Sequence, residues 1–270
     1  MEKETKIFGI RTVIEAIRSN KAIDKVFLQN GLNGELSSEL EKLLRIKSIK
    51  ASYVPIEKLN RLTDKNHQGV VASISPIEFY EIEELIEKVE SLNKKSTYLL
   101  LDQINDVRNF GAIIRSAECS GVDGIIIQKK SSAPINGDTI KTSAGGVFNI
   151  PICKVDHIKD AVFYLQANNI KIIAATEKTE DTIYDVDFKD SCAIIMGAEG
   201  RGITPSILRL ADYKAKLPMY GKIESLNVSV ACGIFFLNTN ANKIPTKNPD
   251  KCPSQDIFSL IGNIYQIVLP

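Results

Sequence analysis

Residues 193–202 read Ala193-Ile194-Ile195-Met196-Gly197-Ala198-Glu199-Gly200-Arg201-Gly202, an apolar run that breaks into a glycine-rich loop. A short continuous apolar run ended by such a loop reads as a strand buried on both faces. Comparable runs stand at Tyr98-Leu99-Leu100-Leu101-Asp102, Gly124-Ile125-Ile126-Ile127, Lys171-Ile172-Ile173-Ala174-Ala175 and Lys214-Ala215-Lys216-Leu217, with helical segments between them. That alternation predicts an α/β domain with a largely parallel sheet covered on both faces. Open sheets of this kind bind ligands outside the carboxyl ends of their strands. The loops after Asp102, Met196 and Leu217 are therefore where chemistry is expected.

A smaller unit precedes this domain. Ile10, Val13, Ile14 and Ile17 recur at helical spacing, which predicts a helix over Arg11 to Arg18. Lys25 to Gln29 reads as a strand closed by the turn-prone Asn30-Gly31, followed by a helix over Glu35 to Ile46 and strands over Ala51 to Val54 and Gly69 to Ile74. Pro76 and an acidic helical stretch from Glu81 to Leu92 lead out of it, and Asn93 to Ser96 reads as a looser connection. The expected organisation is a first domain over 1–76, a linker over 77–96, a second domain over 97–240 and a tail over 241–270.

With 34 basic against 33 acidic side chains in 270 residues, the chain has no overall polycation field to attract nucleic acid. Any such attraction has to be local. Met1 to Ser75 holds 13 Lys/Arg against 9 Asp/Glu, a mildly basic unit suited either to touching phosphates or to ordinary solvated surface. The cysteines, Cys119, Cys153, Cys192, Cys232 and Cys252, stand far apart and read as buried free thiols, with no metal-binding or redox pair. The polar start and the lack of an apolar run of membrane-spanning length imply a cytoplasmic protein without a membrane segment.

Three segments carry candidate chemistry. Asn109-Phe110-Gly111-Ala112-Ile113-Ile114-Arg115 follows the strand ending at Asp102; Asn109 is placed to cap a helix carrying Arg115, whose fork of donors suits a phosphate or ribose oxygen. The plainer alternative is an ordinary N-cap and a surface Arg. In Met196 to Gly202 the glycines allow positive φ and close approach of backbone amides to a ligand, and Glu199 stands within the loop. It matches neither the GxGxxG fingerprint nor a P-loop, and a plain glycine turn is the alternative. Leu217-Pro218-Met219 runs on to Ser225-Leu226-Asn227, where Ser225 is expected to cap a helix with Val228, Ala231 and Cys232 on its packed face.

In this order and spacing the three segments resemble the motifs of the SPOUT-class RNA ribose 2'-O-methyltransferases, the TrmH/SpoU branch, over about Phe8 to Leu237. The resemblance implies a trefoil-knotted C-terminal domain and an L30e-like N-terminal RNA-binding domain, the latter suggested by Phe8-Gly9-Ile10 and His67-Gln68-Gly69-Val70-Val71-Ala72. It implies S-adenosylmethionine held around Gly197, Leu217 and Leu226 with Thr176 and Met219 nearby, and catalytic positions at Asn109, Arg115, Glu199, Ser225 and Asn227. It further implies a homodimer in which Arg115 acts beside the other subunit's cofactor, no metal, and a structured RNA substrate, ribosomal rather than transfer RNA, with guanosine of the large-subunit type by analogy. His67 is expected in RNA contact or loop structure, and His157 at a helix start on the surface.

The alternatives are a non-catalytic RNA-binding or ribosome-assembly protein on the same fold, and a Rossmann-type enzyme, for which the glycine pattern is wrong. Downstream, Asn238 to Pro245 is expected to interrupt the final helix, and the apolar stretch Ile257 to Leu269 is either a docked helix, a divergent tail or an altered end.

Overall fold

The computed structural model describes residues 6–19, 21–223 and 225–243. The chain runs β1 (Lys6–Phe8), α1 (Ile10–Arg18), β2 (Ile23–Gln29), α2 (Glu35–Ile46), β3 (Ala51–Val54), α3 (Ile56–Leu62) and β4 (Val70–Ile74), then α4 (Ile82–Glu90). It continues with β5 (Thr97–Asp102), α5 (Val107–Cys119), β6 (Gly124–Gln128), α6 (Gly137–Thr142), β7 (Ile152–Val155), α7 (Ile158–Ala167) and β8 (Lys171–Ala175). The last elements are β9 (Cys192–Gly197), α8 (Pro205–Leu208), β10 (Tyr213–Ala215) and α9 (Val228–Lys243).

The N-terminal strands form a mixed four-stranded sheet in the order β1-β4-β2-β3. On one face, Val13, Ile14 and Ile17 of α1 and Leu40 and Leu44 of α2 bury Val26, Leu28, Val70 and Ala72. α3 covers part of the other, through Leu59 against Val54 and Val71. His67 belongs to this loop structure: its Nδ1 accepts from the Gly69 amide at 3.0 Å, and its Nε2 lies 2.8 Å from Asn60 Oδ1.

The C-terminal sheet has six strands in the order β10-β8-β9-β5-β6-β7, and every pairing is parallel. Its central residues, Leu99, Leu100, Ile125, Ile126, Ile194 and Ile195, are fully buried because helices cover both faces. α5 and α9 lie over one core and α7 over the other. The segment expected as a linker carries α4, whose Leu85, Ile86 and Val89 are buried with α7 in that second core.

Several expectations need correcting. The last strand runs from Tyr213 to Ala215 rather than Lys214 to Leu217, and β1, α3, β7 and α6 were not anticipated. Cys119 is exposed, whereas Cys153, Cys192 and Cys232 are buried as expected; Cys252 lies outside the described residues. α9 does not break at Asn238 but continues to Lys243. Its polar residues find partners that helix propensity ignores: Asn238 donates to the Ile183 carbonyl at 3.2 Å, Asn240 to that of Ser120 at 2.6 Å, and Lys243 to that of Ser96 at 2.8 Å. The stretch from 244 onward, including Ile257 to Leu269, lies outside the described residues. His157 is exposed at the N-cap of α7.

Candidate active site

The carboxyl ends of β5, β8, β9 and β10 converge, and the loops leaving them enclose the site. β9 ends in Gly197, where an added Cβ would lie 2.1 Å from the carbonyl carbon of Gly202 and 2.3 Å from the Ile203 nitrogen. Only glycine lets the loop fold back this tightly, with Ala198 bridged to Gly202 and positive φ at Gly200 and Gly202. Asp102, the last residue of β5, pins the far end of the loop: its Oδ2 accepts from the Thr204 amide at 2.7 Å. Its Oδ1 is buried and has no hydrogen-bond partner among the described residues. Gln103 follows with φ of 60° and donates to Thr204 Oγ1 at 3.0 Å. Sequence reasoning missed the pins Asp102 and Gln103; the signal was an acid closing an otherwise apolar buried strand.

The caps differ from expectation. Asp106, not Asn109, caps α5, its Oδ1 accepting from the Asn109 amide at 2.7 Å. Asn227, not Ser225, caps α9: its Oδ1 accepts from the Ser229 amide at 2.9 Å and from Ser229 Oγ at 2.6 Å. Asn109 thus sits in the first turn of α5 with its side chain available. Its Nδ2 donates to Glu199 Oε2 at 3.3 Å, and its Oδ1 accepts from Asn227 Nδ2 at 3.0 Å. One amide therefore ties all three sequence segments together.

Two cavities meet at this chain of hydrogen bonds. A cleft of about 630 Å³ is lined by Thr176, Gly197, Leu217, Met219 and Leu226, all five of the expected cofactor residues, and also by Glu199 and Ser225. Its apolar wall includes Met196, Ala215 and Phe235, and its polar positions include Glu177 and Lys178. A second cavity of about 310 Å³ is lined by Gln103, Asp106 and Asn109 and shares Ala198, Glu199, Arg201 and Val228 with the first. Arg201, at both mouths, was not among the expected site residues.

Arg115 is not brought into this cluster. It lies six residues beyond Asn109 on α5, about 9 Å along the axis and turned well away from it. It is exposed, lines neither cavity, and makes no hydrogen bond or ion pair among the described residues. Among the described residues no group of three or more His, Cys, Asp or Glu is placed to hold a metal ion, and no helix is long and apolar enough to cross a membrane.

The fold and site define an α/β protein with a ligand cleft at the carboxyl edge of a parallel sheet, preceded by a smaller mixed-sheet unit. Residues 96–237 match the SpoU rRNA Methylase family, and residues 6–80 match the RNA 2'-O ribose methyltransferase substrate-binding family. A Staphylococcus saprophyticus protein whose name places it in the TrmH family of tRNA/rRNA methyltransferases is 32% identical over 232 residues, covering 86% of this chain and 93% of the relative. A Staphylococcus aureus protein of the same name is 33% identical over 233 residues, covering 86% and 94%. The chain belongs to the SpoU/TrmH RNA methyltransferase family. Among solved structures, an AdoMet-bound rRNA methyltransferase from Sinorhizobium meliloti superposes with a TM-score of 0.57 at 22% identity, covering 89% of this chain and 88% of that one. The SpoU methyltransferase AviRb from Streptomyces viridochromogenes gives 0.55 at 21% identity, covering 89% and 90%. These two likenesses carry the fold.

Proposed function

We propose that the chain transfers the methyl group of S-adenosylmethionine to a ribose 2'-hydroxyl of structured RNA, a guanosine of ribosomal RNA being the preferred target. The observation that carries this reading is the Glu199···Asn109···Asn227 chain standing between a large cleft and a smaller cavity. Family membership supplies the reaction class, and the name of the matched family favours ribosomal RNA.

The cleft suits this cofactor on its own chemistry. Gly197 lets the glycine loop fold back against the strand end and so hold its backbone at the cleft edge, the apolar wall of Leu217, Leu226 and Phe235 fits a purine or thioether surface, and Thr176 and Lys178 offer polar contacts. When bound, the cofactor supplies an activated methyl group on a sulfonium.

The chain's task is then alignment and charge management. Holding the ribose oxygen and the methyl carbon in line supplies much of the acceleration. Asn109 and Asn227 fix one another and Glu199, so an acceptor entering the smaller cavity meets an already ordered polar edge. Arg115, a fork of donors with no acceptor atom, acts not as a base but as a clamp on the target phosphate that stabilises developing alkoxide charge. Its distance from the cluster fits service at the cleft of a second copy. Support for a homodimer comes from Val230, Ile234 and Leu237, an exposed apolar stripe at i, i+4, i+7 spacing on α9.

In this reading residues 1–76 bind the RNA, 77–96 connect, 97–240 carry the reaction and 241–270 form a tail. The test is transfer of labelled methyl from S-adenosylmethionine to unmodified ribosomal and transfer RNA transcripts, mapped by resistance of the product linkage to alkali. One protected linkage in ribosomal RNA is the expected result. RNA binding without transfer to either RNA replaces this reading with the non-catalytic RNA-binding protein.

A further inference from the structure

The two sheets meet at an ion pair. Lys154 of β7 reaches Asp24 of β2 at 3.4 Å, with both side chains mostly buried, and the same ammonium stands 3.9 Å over the Phe79 ring. Beside this joint a groove of about 550 Å³ opens between the N-terminal sheet and the 134–140 segment.

Strand register builds the groove's N-terminal wall. Lys6, Ser73 and Lys25 stand side by side across β1, β4 and β2. Phe27, two residues beyond Lys25, projects from the same face. α3 covers that face around Val54 and Val71 and ends at Leu62, so Lys25 and part of Phe27 face the groove. The Lys25 ammonium lies 4.7 Å from the Phe27 ring centre and that of Lys58 5.9 Å from it. Burial, and after it the charges of Lys50 and Lys58, push the Lys25 ammonium below its ordinary value. Crowded cations around a partly open aromatic ring are the combination by which proteins hold single-stranded nucleic acid: phosphate relieves the repulsion and a base stacks on the ring.

The opposite wall, Pro134, Ile135, Asn136, Gly137 and Ile140, is mostly apolar and leads to the reaction site. The Ala133 amide donates to the Ile104 carbonyl at 2.8 Å, and Ile104 lines the smaller cavity beside Asn109.

We propose that this groove holds an unpaired nucleotide of the RNA substrate outside the reaction cavity, its base against Phe27 and its phosphate on Lys25 and Lys58. The proposal rests on the RNA methyltransferase reading above and adds a recognition site to it. A protein occupant would have to bring acidic groups to the same lysines, and nothing in the mostly apolar opposite wall favours one.

The test measures binding of a fluorescent, unmodified large-subunit ribosomal RNA transcript by anisotropy at several salt concentrations. The proteins compared are wild type, Lys25→Gln, Phe27→Leu and, as a remote charge control, Lys159→Gln on the exposed side of α7. Leucine keeps an apolar group against α3 while removing the ring. S-adenosylmethionine titration and a thermal melt on each protein guard against a general folding defect. The expected result is roughly tenfold weaker RNA binding for each groove variant, with a shallower salt dependence for Lys25→Gln and no change in cofactor affinity or in the control. Wild-type RNA affinity in both groove variants overturns the proposal and leaves the groove to a protein partner or to none. Because binding is read directly, weakened groove variants of a protein that methylates no RNA would support the groove while refuting the methyltransferase reading.

Discussion

Replacing Gly197 by alanine tests whether the site depends on the tight return of the glycine loop. The added Cβ would lie 2.1 Å from the Gly202 carbonyl carbon and 2.4 Å from its oxygen, whereas carbon atoms in contact ordinarily stand about 3.5–4 Å apart. The obstacle is backbone, so no rotamer change relieves it. Both sides are also anchored, because Gly197 is in register with Asp102, and Asp102 accepts from the Thr204 amide at 2.7 Å. One methyl group forced into a packed site costs about 1–3 kcal/mol when side chains are able to shift; with backbone on both sides, the upper end, about 3 kcal/mol, is the working value. Expressed as displacement of the loop from the cleft, that is a loss of roughly 150-fold in S-adenosylmethionine affinity. Gly200→Ala in the same loop is the internal comparison. Its Cβ meets open space, and its cost is limited to a φ of +77°, about 1–2 kcal/mol. Calorimetric titration of both variants, with thermal melts to confirm folding, gives the answer. Gly197→Ala binding within about threefold of wild type, or Gly200→Ala binding more weakly than Gly197→Ala, would refute the reasoning.

Arg115→Ala is expected to lose about 10²-fold in methyl transfer while keeping wild-type cofactor affinity, since the side chain lines neither cavity; a parallel loss of cofactor binding by calorimetry would contradict the clamp role. Asn238→Ala removes the donor to the Ile183 carbonyl and is expected to cost about 1–3 kcal/mol, read as a lower urea midpoint at unchanged slope. At pH 8 a thiol reagent followed by peptide mapping should label Cys119 readily. Cys153, Cys192 and Cys232 should be protected, because burial pushes the Cys153 thiol up to about 12, the Cys192 thiol up to about 11 and that of Cys232 upward as well. Labelling of the buried three at the rate of Cys119 in native protein would show that those cores open readily.

The sheet was readable because strands buried on both faces must be apolar throughout: the runs at Tyr98–Asp102, Gly124–Ile127, Lys171–Ala175 and Ala193–Met196 all became strands of one parallel sheet. β7 escaped notice because Lys154 interrupts its four residues; that lysine belongs to the ion pair with Asp24, which local sequence does not reveal. The continuation of α9 escaped for a related reason. A run such as Asn238-Thr239-Asn240-Ala241-Asn242 has weak helix propensity, and what holds it is bonding to carbonyls at Ile183 and Ser120, far away in the chain.

The parallel α/β class and the smaller N-terminal unit were legible in the sequence, because buried strands and tight glycine loops impose composition locally, whereas the cofactor positions came from the family resemblance of the motifs. Tertiary structure decided which side chains meet. It gave the capping of α5 to Asp106 and of α9 to Asn227, leaving Asn109 to bridge Glu199 and Asn227. It also set Arg115 apart from the cleft and made Asp102 the anchor of the glycine loop. A hydrogen bond across 90 or 118 residues depends on where the sheet brings its loops together, and sequence spacing carries no record of that distance.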